Sequence, residues 1–122
     1  MPSDVRRKID ETDRVEYLGF VENPYGYIAE AQGLIAPLFH GAGIKVKVVE
    51  ALALGTPVLG SAVAWEGIDL YLPLGEHTRI VDTPEEYVRI LENRRPVTIA
   101  DKIRLAQSFR AKYQTKSILN YL

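Results

Sequence analysis

The chain has 122 residues, 47% of them hydrophobic, and a formal net charge of −1, which fits one globular domain and predicts no electrostatic attraction to nucleic acid or to an anionic membrane. The absence of cysteine excludes disulfides, thiolate metal sites and a cysteine nucleophile, and the two histidines, His40 and His77, are too far apart to predict a metal site. The first ten residues, MPSDVRRKID, lack the apolar segment of a secretory signal. No apolar run reaches the roughly 20 residues that span a bilayer. A cytoplasmic domain is therefore predicted.

The first half of the chain alternates polar segments with short apolar runs. Residues 1–14 are polar and predict either a solvated helix or a loose terminus. A first strand is predicted over Val15–Phe20 (VEYLGF), a short helix over Pro24–Ala31, and a second strand over Gly33–Leu38 (GLIAPL).

A helix from Ile44 to Leu54 is predicted by spacing, because Ile44, Val48, Ala51 and Leu52 fall on one helical face. Gly55 follows where a left-handed C-terminal cap belongs.

The second half continues the same alternation. PVLGSAV is a third strand candidate and Arg79–Asp82 a fourth. In TPEEYVRILEN, Thr83 with Glu86 forms a capping box and Pro84 takes the first helical position. Residues 98–113 form an amphipathic pattern that the segment QTKSILNYL continues, so 98–122 are predicted to be a C-terminal helical tail.

Apolar strands alternating with helices predict an α/β fold in which a parallel, Rossmann-like sheet is buried on both faces. Neither a linker nor an internal repeat divides the chain, so residues 1–122 are predicted to form a single domain. Such sheets bind ligands at the carboxyl ends of their strands. The 37–44 loop is therefore the predicted crevice.

Two glycines and two lysines mark this crevice. Gly41 and Gly43 precede the predicted helix, and Lys45 and Lys47 lie at its start, where acids are preferred. A bound phosphate would explain the cations, because a helix N-terminus behind glycines is suited to an anion. The alternative is a turn without a ligand, since a misplaced lysine costs at most about 1 kcal/mol. Neither a GK[ST] loop nor a GxGxxG fingerprint is present, which argues against an NTPase or a dehydrogenase.

Glu50, in the middle of the same helix, has two interpretations that the residues alone leave open. It can form an i,i+3 ion pair with Lys47, or its carboxylate can accept hydrogen bonds from a ribose diol.

The remaining polar candidates carry weaker signals. His40 lies at the mouth of the loop and is more simply a solvent-edge residue than a catalyst. His77 is interpreted as a turn residue without an assigned role. Trp65 is expected to pack, whereas Glu66 is a minor candidate for the cleft.

The run GAGIKVKVVEALALGTPVLGS resembles the donor-binding segment of group 1 glycosyltransferases, enzymes of the two-Rossmann-domain (GT-B) architecture. VEYLGFVEN and YIAEAQGLIAPL resemble the preceding elements of their C-terminal domain, and WEGI resembles the turn after PVL. The similarity runs from Val15 to Asp82, and its pattern G-x-G-I-K-x-K-x-x-E-A-x-A-x-G-x-P-V is long and specific.

The resemblance implies roles for individual residues. Glu50 would bind the ribose hydroxyls of a sugar nucleotide, with Lys47 beside it. The glycine loop and helix start would hold the diphosphate and the donor sugar, through Gly41, Ala42, Gly43, Ile44 and Lys45. The nucleobase would lie near the turn formed by Phe20, Val21 and Glu22. Ala42 stands where many members carry a second glutamate, so Lys45 or His40 would supply the catalytic group.

The implied reaction moves a sugar from a nucleoside diphosphate sugar to an unknown acceptor, with retention and without a cofactor or metal. The alternative is a non-catalytic nucleotide-sugar-binding or assembly module. A flavodoxin-like receiver domain would need clustered acids after the first strand, and VEYLGF ends without them.

Compared with the family, the chain lacks the acceptor-binding N-terminal domain and the first strand–helix–strand of the donor domain. The resemblance therefore implies an incomplete half of a GT-B enzyme, inactive alone, whose full-length form would be cytoplasmic or peripheral to the membrane. The VEYLGF strand would then either pair directly with GLIAPL or be paired by a second copy of the chain. Together with the apolar tail SILNYL it predicts self-association, most naturally as a homodimer.

Overall fold

The structure is a computed structural model, and it describes residues 3–68, 72–73 and 75–112. The described residues form five helices and three strands, which are numbered in chain order as follows: α1 (Ser3–Glu11), α2 (Tyr25–Glu30), β1 (Leu34–Ala36), α3 (Val46–Ala53), β2 (Val58–Gly60), β3 (Arg79–Ile80), α4 (Pro84–Asn93) and α5 (Ile99–Lys112).

The three strands form one parallel sheet in the order β1-β2-β3. Leu34 lies opposite Val58, and Leu59 lies opposite Arg79. The small α/β fold with a parallel sheet is therefore confirmed. Burial on both faces holds for β2, whose three residues are all buried, but not for β1, where Ile35 is 47% exposed.

The strand predicted over Val15–Phe20 is wrong. This segment is irregular and exposed along its length, and Phe20 is 93% exposed. Valine, tyrosine and phenylalanine favour strands only where a neighbouring strand supplies pairing and cover. Among the described residues β1 pairs with β2 and not with this segment.

The polar N-terminal segment is a solvated helix rather than a loose terminus. Helix α1 has no buried residue. Arg6 pairs with Asp10 one turn later at 3.1 Å, and its guanidinium lies 4.2 Å above the ring centre of Tyr17.

The predicted end of α3 is confirmed, with Gly55 at φ +83°. The N–H of Gly55 donates to the Leu52 carbonyl at 3.0 Å and the N–H of Thr56 donates to the Ala51 carbonyl at 2.8 Å, which is a Schellman motif. A Cβ atom at Gly55 would lie 2.2 Å from the carbonyl oxygen of Lys102. Glycine thus serves both the turn and the close approach of α5.

The start of α4 also follows its sequence. The Thr83 hydroxyl accepts the N–H of Glu86 at 3.2 Å, and Pro84 is the first helical residue. The Glu86 carboxylate approaches the Thr83 hydroxyl at 3.4 Å. The last predicted helix is confirmed as α5 up to Lys112, although Ile99 and Ile103 are exposed on it, and the predicted tail helix beyond it lies outside the described residues.

The core lies between the sheet, α3 and α5. Leu52, Val58 and Leu105 are fully buried, as is Phe109 at 1% exposure. Helix α3 packs against α5, β1 and β2, so the element that follows the glycine loop is held on one side by the sheet and on the other by the last described helix. The described helices include none long and apolar enough to cross a membrane.

His77 is a core residue rather than a surface turn residue. It lies in a turn but is 0% exposed, and neither ring nitrogen has a hydrogen-bond partner among the described residues. The carboxylate of Glu76 lies 3.3 Å from Nε2. Burial lowers the pKa of His77, against the opposing effect of Glu76.

Candidate functional site

The candidate site is the loop that leads from the carboxyl end of β1 to the N-terminus of α3. Gly41 and Gly43 both have positive φ angles, +115° and +79°, which glycine adopts without steric cost. Their backbone bends the loop so that it meets α3 at Lys45, the N-cap residue. Glycine is therefore required at both positions by the backbone conformation of the loop.

Lys45 lies over the loop instead of pointing away from it. Its Nζ donates a hydrogen bond to the carbonyl of Gly43. A Cβ atom at Gly41 would lie 3.4 Å from Lys45 Cε and 3.7 Å from Nζ. The absence of a side chain at Gly41 thus leaves room for the ammonium group directly above the loop.

The first turn of α3 contains no acid, and its first amides have no hydrogen-bond partner in the part of the chain that the structure describes. The first helical hydrogen bonds run from Val48 and Val49 to the Lys45 carbonyl, so the amides of Val46 and Lys47 precede them. Among the described residues no side chain caps this end, and no acid lies in the first turn. Positive partial charge from the helix and the charge of Lys45 therefore act on the same space.

Glu50 is buried, at 9% exposure, and each of its carboxylate oxygens has a partner. Lys47 Nζ lies 3.2 Å from Oε2, which is the predicted i,i+3 pair. Tyr25 Oη donates to Oε1 at 3.4 Å. The ion pair is confirmed, and it leaves the second interpretation, a ribose-binding carboxylate, as a prediction.

Tyr25 was missed by the sequence reasoning and connects the Phe20–Glu22 turn to the site. It begins α2, which packs against α3, and its N–H donates to the Asn23 side chain at 3.1 Å. The turn therefore ends three residues before a side chain that contacts Glu50. A tyrosine at the start of a short helix carries no signal for this contact, because the contact depends on how α2 packs.

The loop after β2 supports the crevice from the other side. The Ser61 hydroxyl donates to the Leu38 carbonyl, and the Ser61 N–H donates to the Ala36 carbonyl at 3.1 Å. Ile44 packs under Gly67, where an added Cβ would lie 2.9 Å from Ile44 Cγ1. These contacts fix the loop ends of β1 and β2 against each other.

Trp65 has the packing role that the sequence predicted. Its side chain is 3% exposed, and its ring N–H donates to the Arg79 carbonyl at 3.1 Å. Glu66 is exposed.

His40 and Ala42 are both exposed on the loop. The described residues provide no hydrogen bond or ion pair for the His40 ring. Ala42 has no carboxylate. The charged group that contacts the loop backbone is the ammonium group of Lys45, which donates to the Gly43 carbonyl.

Two cavities flank the loop. One, the edge groove, is lined by residues 34–38 and 44–48 and has a volume of about 480 Å³. The other lies between the ends of the three strands and α4, with a volume of about 280 Å³ and walls that include Phe39, Ser61 and Tyr87. Burial raises the pKa of Tyr87, and its hydroxyl has no hydrogen-bond partner among the described residues.

The described residues contain no cluster of three or more side chains suited to holding a metal ion. The positive groups that the described loop and helix start can offer an anion are lysines and helix N–H donors.

Fold and site together define an α/β protein that has a cationic helix N-terminus at the carboxyl edge of a parallel sheet. A family model described as Glycosyl transferases group 1 matches residues 1–94, which is most of the chain and includes every candidate site residue. The chain therefore belongs to the group 1 glycosyl transferases. A search of curated proteins and a search of solved structures gave no match.

Proposed function

We propose that the chain is the donor-binding domain of a GT-B glycosyltransferase and binds a nucleoside diphosphate sugar at the N-terminus of α3. Membership of the group 1 family supports glycosyl transfer. The transfer, with retention, goes to an acceptor held by a separate domain, in the cytoplasm or at a membrane surface. The Rossmann-like parallel sheet is in keeping with one half of such an enzyme.

The observation that carries the proposal is the start of α3. Lys45 folds over the glycine loop, and no acid lies in the first turn of the helix. Such an arrangement is unfavourable when empty and favourable when an anion is bound. The diphosphate of the donor is that anion, and its charge increases when the sugar leaves.

In this proposal the same groups supply the chemistry. Preformed positive charge that meets developing negative charge is a large contribution to catalysis. Lys45 and the α3 amides stabilise the leaving diphosphate, while His40 is the second group at the loop mouth that can approach it. Glu50 holds the ribose, and the turn Phe20–Glu22 borders the base.

One observation favours a second candidate, a module that binds nucleotide sugar without transferring it. Ala42 leaves the loop without a carboxylate that faces the donor sugar. Joining the chain to an acceptor-binding domain of the family and assaying transfer separates the two. Turnover supports the enzyme, whereas donor binding without turnover supports the module.

Calorimetric titration of nucleoside diphosphates and of the matching nucleosides tests the phosphate assignment. We expect Lys45→Ala to weaken diphosphate binding about tenfold, because it removes a charged hydrogen-bond donor. Binding of the nucleoside should be unchanged. In the free protein the same substitution should be neutral or slightly stabilising, since a cation leaves a helix N-terminus.

Lys47→Ala and Lys8→Ala complete the series. Lys47→Ala should also weaken diphosphate binding, but its gain in stability is cancelled by the lost pair with Glu50. Lys8 is an exposed lysine of α1, and its substitution should change neither affinity. Equal losses for diphosphate and nucleoside in Lys45→Ala and Lys47→Ala would remove the phosphate assignment.

A further inference from the structure

Three arginines line one cavity of about 330 Å³ at the edge of the sheet opposite to α3's N-terminus. Arg79 is the first residue of β3, Arg94 is the C-cap residue of α4, and Arg89 lies in α4 just before its last turn. The strands are parallel, so the start of β3 marks the amino edge, whereas α3 begins at the carboxyl edge. This arginine cavity is therefore separate from the candidate donor site.

Among the described residues, Arg79 is the one arginine of the cavity that has an ion-pair partner, and that pair is long. Arg89 forms no side-chain hydrogen bond or ion pair among them. The nearest carboxylate oxygen to Arg79 belongs to Glu86, at 3.9 Å, which is too long for a hydrogen bond. Arg94 donates to the Gln32 carbonyl at 3.3 Å, which positions the group without removing its charge.

The acid in the cavity wall is already engaged. Glu76 Oε1 lies 3.0 Å from Arg95 Nε, and Arg95 also contacts Asp101 at 2.7 Å. These contacts pair Glu76 with a fourth arginine. The cavity thus concentrates positive charge on a chain whose net charge is −1, and such local fields attract anions.

Cations near the end of α4 also have a simpler explanation, because they favour the negative end of the helix. This explanation covers Arg94 at the C-cap, whereas Arg89 precedes the last turn. It does not cover Arg79, which lies on a strand and shares the cavity with them. Three guanidinium groups from two elements line one cavity, which is the arrangement that an anion with several acceptor oxygens requires.

We infer that the arginine cavity is a binding site for a phosphate-bearing ligand. Arginine binds phosphate through two parallel hydrogen bonds and is the side chain best matched to its geometry. The cavity lies at the small end of ligand sites, so it takes a phosphate or diphosphate group rather than a whole nucleotide sugar. The phosphate belongs either to a soluble ligand or to the headgroup of an anionic lipid.

Calorimetric titration with inorganic pyrophosphate tests the soluble source. The full chain carries Lys45→Ala and Lys47→Ala, so that the α3 site does not contribute to the heat. We expect saturable binding that Arg89→Gln and Arg79→Gln each weaken about tenfold. Arg104→Gln, at an exposed position of α5, is the matched control and should leave the affinity unchanged.

Flotation with phosphatidylcholine vesicles, with and without phosphatidylglycerol, tests the lipid source on the same variants. Binding that needs phosphatidylglycerol and is lost in Arg89→Gln but not in Arg104→Gln supports a headgroup as the ligand. Circular dichroism confirms that each variant is folded. Equal losses in Arg89→Gln and Arg104→Gln, or no saturable binding of either pyrophosphate or anionic vesicles, overturns the inference.

Discussion

Glu50 shows how one side chain can serve both the packing and the proposed chemistry. Its carboxylate is buried, and its two oxygens contact Tyr25 and Lys47. Both partners are donors that a ribose hydroxyl can replace or join. The ion pair that explains Glu50 in the free protein therefore also holds the carboxylate in a fixed orientation.

Glu50→Gln is expected to weaken binding of a nucleotide sugar by about 1–3 kcal/mol, the cost of a charged hydrogen bond. The amide oxygen still accepts from Tyr25, so the melting temperature should change little. Calorimetry and thermal denaturation measure the two quantities. Glu66→Gln, at an exposed position, is the control. A collapse of stability with unchanged affinity would make Glu50 a structural residue.

His77 is expected to make stability depend on pH. Burial lowers its pKa in the folded state from 6.5, opposed by Glu76 and assisted by Arg94 and Arg95. The unfolded chain therefore binds a proton that the folded chain does not, and stability rises with pH in that range. The stabilisation is complete above pH 6.5 and is lost as the pH falls toward the lower folded pKa.

Urea denaturation at several pH values between about 5 and 7 checks this dependence. His77→Leu removes the titrating group and should flatten the slope of stability against pH. Leucine can replace this side chain because the His77 nitrogens have no hydrogen-bond partner among the described residues. Val88→Leu, at an exposed position without a titrating group, should retain the slope. An unchanged slope in His77→Leu would assign the pH dependence to other groups.

At the scale of elements, the signals that held are local ones. The cap at Gly55, the Thr83 hydroxyl bond and the face of α3 each depend on residues a few positions apart. The strand over Val15–Phe20 failed because a strand depends on a partner that its own residues cannot specify.

The residues of the candidate site also fall into two groups, those that are close in sequence and those that only tertiary packing brings together. Gly41, Gly43 and Lys45 lie in one loop, so sequence placed them together. The contact of Tyr25 with Glu50 depends on tertiary packing, and so does the convergence of Arg79 with Arg94 in one cavity. The sequence does not predict that charged residues far apart along the chain will be neighbours, because their contact depends on the packing of β3 and α4.

Gly55→Ala tests the junction of α3 with α5. The new Cβ would lie 2.2 Å from the Lys102 carbonyl oxygen and would hold alanine at φ +83°. We expect a loss of about 2–4 kcal/mol in the free energy of unfolding, from backbone strain and overpacking together. Urea denaturation measures it.

Gly26→Ala is the matched control for this junction. An added Cβ at Gly26 has nothing within 4 Å, and the position lies inside α2. Alanine there should stabilise by up to about 1 kcal/mol, because glycine is a poor helix former. Equal effects of the two substitutions would mean that α5 does not pack on Gly55.

At the scale of the whole molecule, β1 is the exposed feature that most favours self-association. Among the described residues β1 is an edge strand that pairs with β2 on one side, and Ile35 is 47% exposed. The edge groove runs beside it and carries Lys45 and Lys47 in its wall. Unpaired strand edges of this kind recruit extended segments.

The segment 15–22, VEYLGFVE, is suited to that edge. Its apolar residues are exposed except for the half-buried Val21, with Leu18 at 46%, and its charged residues are Glu16 and Glu22. Acidic flanks on an apolar extended segment complement a groove with two lysines. We therefore propose that two copies exchange this segment across a two-fold axis, which gives a dimer.

Light scattering over a concentration series checks the dimer. We expect the mass to rise from that of one chain, 13.7 kDa, toward twice that value. Leu18→Glu places a charge in the apolar segment and should shift the midpoint to higher concentration. Val88→Glu, at a position of α4 that is also exposed, should not shift it. A constant monomer mass at the highest concentration contradicts the proposal, because the exposed segment and the free edge of β1 would then coexist without binding each other.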